Sequence, residues 1–325
     1  ARHPGTTVER VAVSTRTEAP PAGAGLLQAL HQRLDAAARA LGVEPAPDPT
    51  DIGIATSLVF GRLVEHVHAR RGSEELWLLM TAMSAALPDA EEVKAAQRAR
   101  DLSGASDFGT WLLEASYGAA SAKGAMASEM DVLTDAVVVD VDFTARHELH
   151  TGIQRVVRET LPRWRRDHEI TSVAWTDEGG AMRMLEPFES DRVLNWHERA
   201  PVPGDQRSTT TAPPRLVVPW RCTVMLLENP APEHNSLLAA MSLYSGNRVG
   251  LIGYDCIPVI SPELIHEGLP DRFTRYLETV KHAHRIVGIS AGATREFQGF
   301  VDMLAAQGLP RPEVSECALP VEVPP

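Results

Sequence analysis

Residues 137–160, VVVDVDFTARHELHTGIQRVVRET, pass from an apolar run into a basic helical pattern, with a glycine at the junction. Gly152 lets another molecule approach the backbone closely, and Thr151 stands where a helix N-cap is expected. The start of a helix carries free N–H groups and a partial positive charge, which favour an anion. Arg155 and Arg158 are three residues apart on one helix face, where they would grip a phosphate or a carboxylate. A capped helix with a solvated arginine face is the alternative interpretation.

A second pattern is GYDCIP, residues 253–258, which follows an apolar run. Asp255, preceded by Tyr254, stands at the carboxyl end of the expected strand, which is a position for a ligand rather than for packing. Its carboxylate would accept hydrogen bonds from hydroxyl groups or act as a base. The alternative is that Asp255 caps the segment that follows.

Two other strand ends carry polar residues. Glu228 ends the run TVMLLE and Asn229 follows it, and Ser290 follows RIVGI at the start of a helix that carries Arg295. Each has a structural alternative: a plain turn for the first pair and an N-cap for Ser290.

The elements that must position these residues alternate between strand and helix. Apolar β-branched runs of four to eight residues are typical of strands buried on both faces of a parallel sheet. Strands alternating with helices predict βαβ units with right-handed crossovers, and ligands of such sheets bind at the carboxyl ends of the strands. The expected strands are 136–141, 169–175, 223–228, 248–255 and 285–290, with a long loop over 187–213.

The first part of the chain has a different pattern. Apolar residues at three- and four-residue spacing predict helices between about 22 and 130, the first of which Gly42 would end. Further helices are expected around 53–70, 74–86, 89–101 and 107–116, followed by a linker over 117–130. The sequence therefore predicts a disordered segment 1–21, a helical accessory domain 22–130, in which Trp77 to Met80 are core residues, and an α/β domain 131–325.

Composition excludes several classes of protein. The net charge of −12 argues against nucleic-acid binding. No apolar run reaches membrane-spanning length, so no transmembrane helix is expected. The expected location is cytoplasmic. Cys222, Cys256 and Cys317 form no CxxC pair, so neither a zinc site nor a disulfide framework is indicated, and buried, reduced thiols are expected. His147 and His150 lack an obvious third ligand, so no metal is expected. The sequence contains no Walker loop, and the absence of a GxGxxG motif disfavours a dehydrogenase or epimerase.

Four stretches together resemble family 4 of the retaining glycosyltransferases, which have the GT-B fold. HTGIQRVVRETLPRW is similar to the family's first glycine loop and helix, and RVGLIGYDCIPVISPE to its stretch around a histidine–aspartate or tyrosine–aspartate pair. RYLETVKHAHRIVGISAGATREF resembles the segment that closes the first Rossmann-like domain, and CALPVEVPP the crossing into the second domain. The resemblance covers residues 136–325 in the family's order.

The resemblance implies the first half of a GT-B fold, truncated before its second domain. It implies transfer of a hexose such as mannose from a nucleotide sugar to a polysaccharide, glycolipid or other acceptor, without a metal cofactor. Asp255 and Tyr254 would be the catalytic pair. The residues that would bind the donor phosphates or the acceptor are Thr151, Gly152, Ile153, Arg155, Arg158, Glu228, Asn229, Ser290 and Arg295.

The sequence also departs from the family pattern. Thr151-Gly152 replaces the usual glycine pair, Tyr254 replaces the common histidine, and His284 stands where an aspartate is usual. The family's nucleotide pocket belongs to the second domain, so this fragment alone is expected to be inactive.

Two alternatives stay open. The chain would otherwise be a non-catalytic module that binds an acceptor or a protein partner. The segment RVVRETLPRWRR, with five arginines beside apolar residues, would also suit peripheral contact with an anionic lipid surface at the inner membrane face, although packing on the sheet explains the same pattern. The oligomeric state is not indicated.

Overall fold

The computed structural model describes residues 22–44, 51–198 and 212–319. The expected disordered segment 1–21 lies outside the described residues, as do residues 320–325 of the expected crossing CALPVEVPP. The chain begins with five helices, as the spacing of apolar residues predicts: α1 (Ala22–Leu41), α2 (Ile52–Arg70), α3 (Ser73–Ser84), α4 (Ala90–Leu102) and α5 (Ala105–Lys123). The expected linker over 117–130 is wrong in its first half, because α5 continues to Lys123.

Helix ends follow the local sequence. The Asp51 side chain accepts from the N–H groups of Gly53 and Ile54 and so starts α2, and Asp89 forms a capping box with Glu92 at the start of α4. Gly42 adopts a φ of 66° directly after α1, the left-handed conformation that glycine tolerates best. Residues Trp77 to Met80 are buried, which confirms them as core.

The second part is an α/β unit. Within the described residues, nine strands form one sheet in the order β1-β5-β4-β3-β2-β6-β7-β8-β9. The strands are β1 (Met130–Leu133), β2 (Val137–Asp140), β3 (Ile170–Trp175), β4 (Met182–Met184), β5 (Leu216–Pro219), β6 (Thr223–Leu226), β7 (Arg248–Gly253), β8 (Arg285–Gly288) and β9 (Glu313–Glu316). The helices among them are α6 (Asp142–Arg146), α7 (Gly152–Asp167), α8 (Pro187–Leu194), α9 (Asn235–Tyr244), α10 (Ile257–Ile260), α11 (Leu269–His282) and α12 (Ala291–Ala306).

The expected α/β class, with a mostly parallel sheet preceded by helices, is confirmed. The sheet is mixed rather than wholly parallel, because β4 runs antiparallel to both β3 and β5. Four strands, β1, β4, β5 and β9, were not expected from the sequence. The expected loop 187–213 instead begins with α8 and is followed by β5.

One apolar core joins the two parts of the chain. Buried residues of the helical region, including Trp77 and Phe108, belong to the same cluster as Val138, Trp175 and Val224 of the sheet. A second cluster places Val157 and Leu161 of α7 and Val193 of α8 against Val139 and Val141 on the other face of the sheet. The helical region therefore serves as a covering layer for one face of the sheet.

A backbone contact reinforces that joint. The Leu87 N–H, in the turn between α3 and α4, donates to the carbonyl oxygen of Gly180, in the β3–β4 turn, at 2.7 Å. Gly180 also lies so close to α5 that an added Cβ would stand 2.0 Å from the Lys123 carbonyl oxygen. Among the described helices, none has the length and apolar character needed to cross a bilayer.

Candidate functional site

The strand order of the sheet reverses between β2 and β6. After β2 the chain continues to its neighbour β3, whereas after β6 it continues to β7 on the opposite side. β2 and β6 are parallel neighbours, so their carboxyl ends meet at one edge. In open α/β sheets the crevice outside such a point is where ligands bind. The turns after β2, β6 and β7 all reach this edge, and they carry most of the residues singled out from the sequence.

Glu228 ties the first two turns together. Its side chain is 6% exposed and its carboxylate accepts hydrogen bonds from the Phe143 N–H at 2.6 Å, the Thr144 N–H at 3.1 Å and the Thr144 hydroxyl at 2.5 Å. Glu228 thus caps α6, in the segment we call the β2 turn, residues 141–151. It is held within the protein, whereas its neighbour Asn229 is exposed.

Asp140 is a second buried carboxylate at the same edge. It ends β2, and its two oxygens accept from the Trp175 indole N–H at 3.0 Å and the Asp142 N–H at 3.1 Å. Burial, reinforced by the charge of Asp142, raises the pKa of Asp140 to about 7. Burial also raises the pKa of Glu228 to about 8; the hydrogen bond from Thr144 opposes the shift, and the charge of Asp140 adds to it. Two carboxyl groups with raised pKa values at a strand-end crevice are typical of functional sites.

Arg146 neutralises part of this acidic edge. Its guanidinium donates to Asp142 at 2.7 Å and to Asp177 at 3.0 Å, and it also bonds the carbonyl oxygen of Trp175. The imidazole of His234 stacks on the Trp175 indole, with 3.8 Å between the ring centroids. Burial lowers the pKa of His234, so the ring is neutral near pH 7.

The helix start at Gly152 faces outward at this edge. Thr151 and Gly152 are exposed, Ile153 is half-buried, and an added Cβ on Gly152 would meet no protein atom within 4 Å. The Thr151 hydroxyl bonds the side chain of Gln154 and makes no cap to the backbone of α7. The first turn of α7 also contains no acidic residue, so its N–H groups keep the partial positive charge of a helix start.

Arg155 and Arg158 divide into different environments. Arg155 is exposed, while Arg158 is 2% exposed. The Arg158 guanidinium donates to the carbonyl oxygens of His147, Leu149 and Arg192 and lies 3.5 Å from the ring centre of Trp196. Arg158 therefore holds the end of the β2 turn, and an anion would meet Arg155.

The β7 exit carries Tyr254 and Asp255 to the same edge. Tyr254 is half-buried and its hydroxyl donates to the carbonyl oxygen of Leu227 at 2.6 Å. Burial, together with the charge of Glu228, raises the pKa of Tyr254 well above its usual range. Asp255 is half-buried and accepts the Ile257 N–H at 3.0 Å through one oxygen. Asp255 thus caps the segment that follows it, which is the alternative role considered from the sequence. Its carboxylate lies at the sheet edge formed by the carboxyl ends of the strands.

The fourth expected position lies after β8. Ser290 is the N-cap of α12 and accepts the Ala293 N–H at 3.2 Å, and Arg295 is exposed on the same helix. Ser290 therefore has the capping role that its sequence position also allowed.

Several residues of the edge were not singled out from the sequence: Asp140, Asp142, Thr144, Arg146, Trp175 and His234. Asp140 offered a signal, since it is an acid inside the apolar run AVVVDV. The remaining residues come from α6, from the end of β3 and from the segment after β6. The approach of these parts to one another depends on the sheet order, which the sequence does not display.

Possible metal ligands and the cysteine side chains also bear on the chemistry of the site. Among the described residues, no group of three or more acidic, histidine or cysteine side chains could hold a metal ion. Cys222 and Cys256 are buried free thiols, as expected, but Cys317 is exposed, which corrects the expectation for that residue.

A groove of 460 Å³ lies away from this edge. Its lining comes from β6 to β9 and includes Thr223, Met225, Arg248, Arg285 and Glu313, most of which stand at or near the amino ends of their strands. The polar residues singled out above lie at the opposite edge, where the carboxyl ends of the strands meet, and the topology favours that edge as the ligand site.

The fold and the edge together define an α/β protein with a mostly parallel nine-stranded sheet preceded by helices. Comparisons with models of protein families, with curated proteins and with solved structures find no match.

Proposed function

We propose that this chain is the acceptor-side part of a retaining glycosyltransferase that uses a nucleotide sugar as donor. The observation that carries the proposal is the exposed start of α7 at the sheet edge. There Gly152 leaves room for another molecule, the N–H groups of the first turn lack a side-chain cap, and Arg155 stands exposed. A diphosphate has the charge and the size for such a helix start.

The transfer would proceed at the same edge. Breaking the bond between the sugar and the diphosphate leaves negative charge on the diphosphate, and fixed N–H donors and Arg155 would stabilise that charge in the transition state. The oxygen of an acceptor hydroxyl group would form the new bond to the sugar as the bond to the diphosphate breaks, and Asp255, two strands away on the β7 exit, would take the proton of that hydroxyl group. Tyr254 would fix the position of that exit through its bond to Leu227.

The first experiment measures turnover of a panel of nucleotide sugars with an acceptor mixture, using a full-length protein that includes the expected second domain. Transfer, or hydrolysis of one donor, supports the proposal. Its dependence on the helix start is tested with Gly152→Val, because the added side chain would occupy the space next to the first-turn N–H groups. The donor binding constant is expected to weaken at least about tenfold, corresponding to one lost charge-assisted hydrogen bond.

Gly104→Val is the matched control. Gly104 is the N-cap of α5, and an added Cβ there also meets no protein atom within 4 Å. Both variants should fold, and Gly104→Val should bind the donor like the wild type. Equal affinity of all three proteins would remove the Gly152 turn from the site, and a full-length protein that turns over no donor would refute the transferase.

A non-catalytic binding module is the second candidate, and one observation favours it. The segment after Asp255 exposes large apolar side chains: Ile257 at 43%, Val259 at 49%, Ile260 at 58% and Leu264 at 75%. Apolar side chains gathered on a surface are typical of a contact with a partner or an acceptor. Acceptor binding without any donor turnover would favour this second function.

A further inference from the structure

Asp140 and Glu228 are two buried carboxyl groups whose protonation states depend on each other. Asp140 is the last residue of β2, and Glu228 lies two residues after the end of the neighbouring strand β6. Both are nearly fully buried, and the charge of Asp140 acts on Glu228. Two buried carboxylates whose charges act on each other resist being ionised together. One of them is therefore expected to carry a proton near neutral pH, and the hydrogen bonds show which.

The partners of Asp140 are N–H groups. The Trp175 indole and the Asp142 backbone can donate only, so each oxygen of Asp140 faces a donor. A proton on either oxygen would compete with one of them. This arrangement favours the ionised form of Asp140.

One hydrogen-bond partner of Glu228, the Thr144 hydroxyl, can act either as a donor or as an acceptor. Besides the N–H groups of Phe143 and Thr144, it faces the Thr144 hydroxyl at 2.5 Å. A hydroxyl group both donates and accepts, so Thr144 can receive a hydrogen bond from a protonated Glu228 without losing the contact.

We propose that Glu228 carries a proton at neutral pH and donates it to the Thr144 hydroxyl, so that it holds the β2 turn as a neutral positioning residue beside an ionised Asp140. Other titratable and charged groups surround the pair. They are Asp142 and Arg146 on α6, Tyr254 after β7 and His234 after β6.

A proton on Glu228 fixes the direction in which the free energy of unfolding changes with pH. Below the ordinary glutamate pKa of 4.5, both the folded and the unfolded chain hold this proton. Between there and about pH 8 the folded chain keeps a proton that the unfolded chain has released, so the free energy of unfolding falls as the pH rises. Above about pH 8 Glu228 ionises in the folded chain too, and its charge repels that of Asp140 across the two strand ends.

The test uses Glu228→Gln in the full chain, because glutamine is a neutral isostere with an amide N–H for the Thr144 hydroxyl. Unfolding midpoints measured from about pH 5 to about pH 8 should fall with pH in the wild type, and Glu228→Gln should lose a large part of that decline. Glu189→Gln is the control. Glu189 is equally buried but forms two hydrogen bonds with Arg183, so this variant should be less stable and should keep the wild-type slope. A Glu228→Gln slope equal to that of the wild type would overturn the proposal.

Infrared spectroscopy covers the case in which the variant folds poorly. The wild type should show the C=O band of a protonated carboxyl group at pH 7, with loss of that band centred near pH 8. The band should persist in Asp140→Asn and disappear in Glu228→Gln. The reverse assignment, or no band at pH 7 in the wild type, would overturn the proposal. Neither readout needs a donor, so this result stands or falls separately from the proposed function.

A further consequence of the Glu228 proton, for donor binding, rests on the proposed transferase function. The β2 turn ends at Thr151, so loosening it above about pH 8 should raise the KM for the donor while leaving kcat unchanged. Glu228→Gln should remove this rise.

Discussion

The hydroxyl of Tyr254 donates a hydrogen bond of 2.6 Å to the carbonyl oxygen of Leu227, the residue directly before Glu228. This bond joins the β7 exit to the β6 exit, and Glu228 in turn joins the β6 exit to the β2 turn. Three turns that are distant in the sequence are thereby fixed relative to one another at one edge of the sheet.

Tyr254→Phe tests the first of these links. Phenylalanine keeps the ring and removes the hydroxyl, so the Leu227 carbonyl oxygen loses its donor and the free energy of unfolding should fall by about 1 to 2 kcal/mol. Urea denaturation measures the loss. Tyr117→Phe is the control, since Tyr117 is 73% exposed and its replacement should change stability little. Equal stability of the two variants would mean that the Tyr254 bond does not hold the β7 exit.

Asp255→Asn tests whether Asp255, the residue after Tyr254, has a role in turnover in addition to its capping role. Asparagine retains an oxygen for the Ile257 N–H, so the fold should be unchanged, whereas the charge needed to accept a proton is lost. Turnover by the full-length protein should drop at least about 100-fold, the lower range for loss of a general base. A variant with wild-type turnover would leave Asp255 with capping alone.

The two arginines of α7 should respond differently to alanine. Arg158→Ala removes a buried guanidinium that donates to three carbonyl oxygens, so stability should fall by about 3 kcal/mol. Arg155→Ala should leave stability within about 0.5 kcal/mol and weaken diphosphate binding. Arg165→Ala, an exposed position in the last turn of the same helix, is the control for Arg155 and should change neither quantity. Calorimetric unfolding and binding titration on the three variants check the division, and unchanged diphosphate binding by Arg155→Ala would contradict it.

Gly180→Ala probes the contact between the helical region and the sheet. Its Cβ would stand 2.0 Å from the Lys123 carbonyl oxygen, so the β3–β4 turn or α5 must move. We expect a loss of about 3 kcal/mol, in the upper range for an overpacked site. Gly118→Ala lies in α5 with no protein atom within 4 Å of the added Cβ, and it should be neutral or slightly stabilising. If Gly180→Ala were as stable as Gly118→Ala, the two parts of the chain would not be closely packed there.

The sequence predicted the elements whose pattern is local and strong. The run VVVD of β2 and the run RVGLIG of β7 are apolar and bounded by turns, which suffices for a buried strand. By contrast, β9 reads EVSE and β4 has only three residues, MRM, so their pairing is set by neighbouring strands rather than by their own composition. Antiparallel β4 was missed for that reason.

The candidate site was predictable as a set of strand ends but not in its internal contacts. Periodicity placed Arg155 and Arg158 on the same side of a helix, but it did not reveal that α8 and the residues after it would bury Arg158. Glu228 was expected to bind a ligand or make a turn, and its bonds to α6 depend on β6 crossing the sheet to lie beside β2. Such contacts follow from the sheet order, which local patterns do not encode.

The central claim is that the turns after β2 and β7 bind the donor together. Hydrogen exchange measured by mass spectrometry, with and without a saturating nucleotide sugar, tests it most directly. We expect slower exchange in peptides covering residues 149–156 and 253–258, and unchanged exchange along the groove lined by Arg248 and Arg285. Protection confined to that groove, with no change at Gly152 or Asp255, would contradict the account.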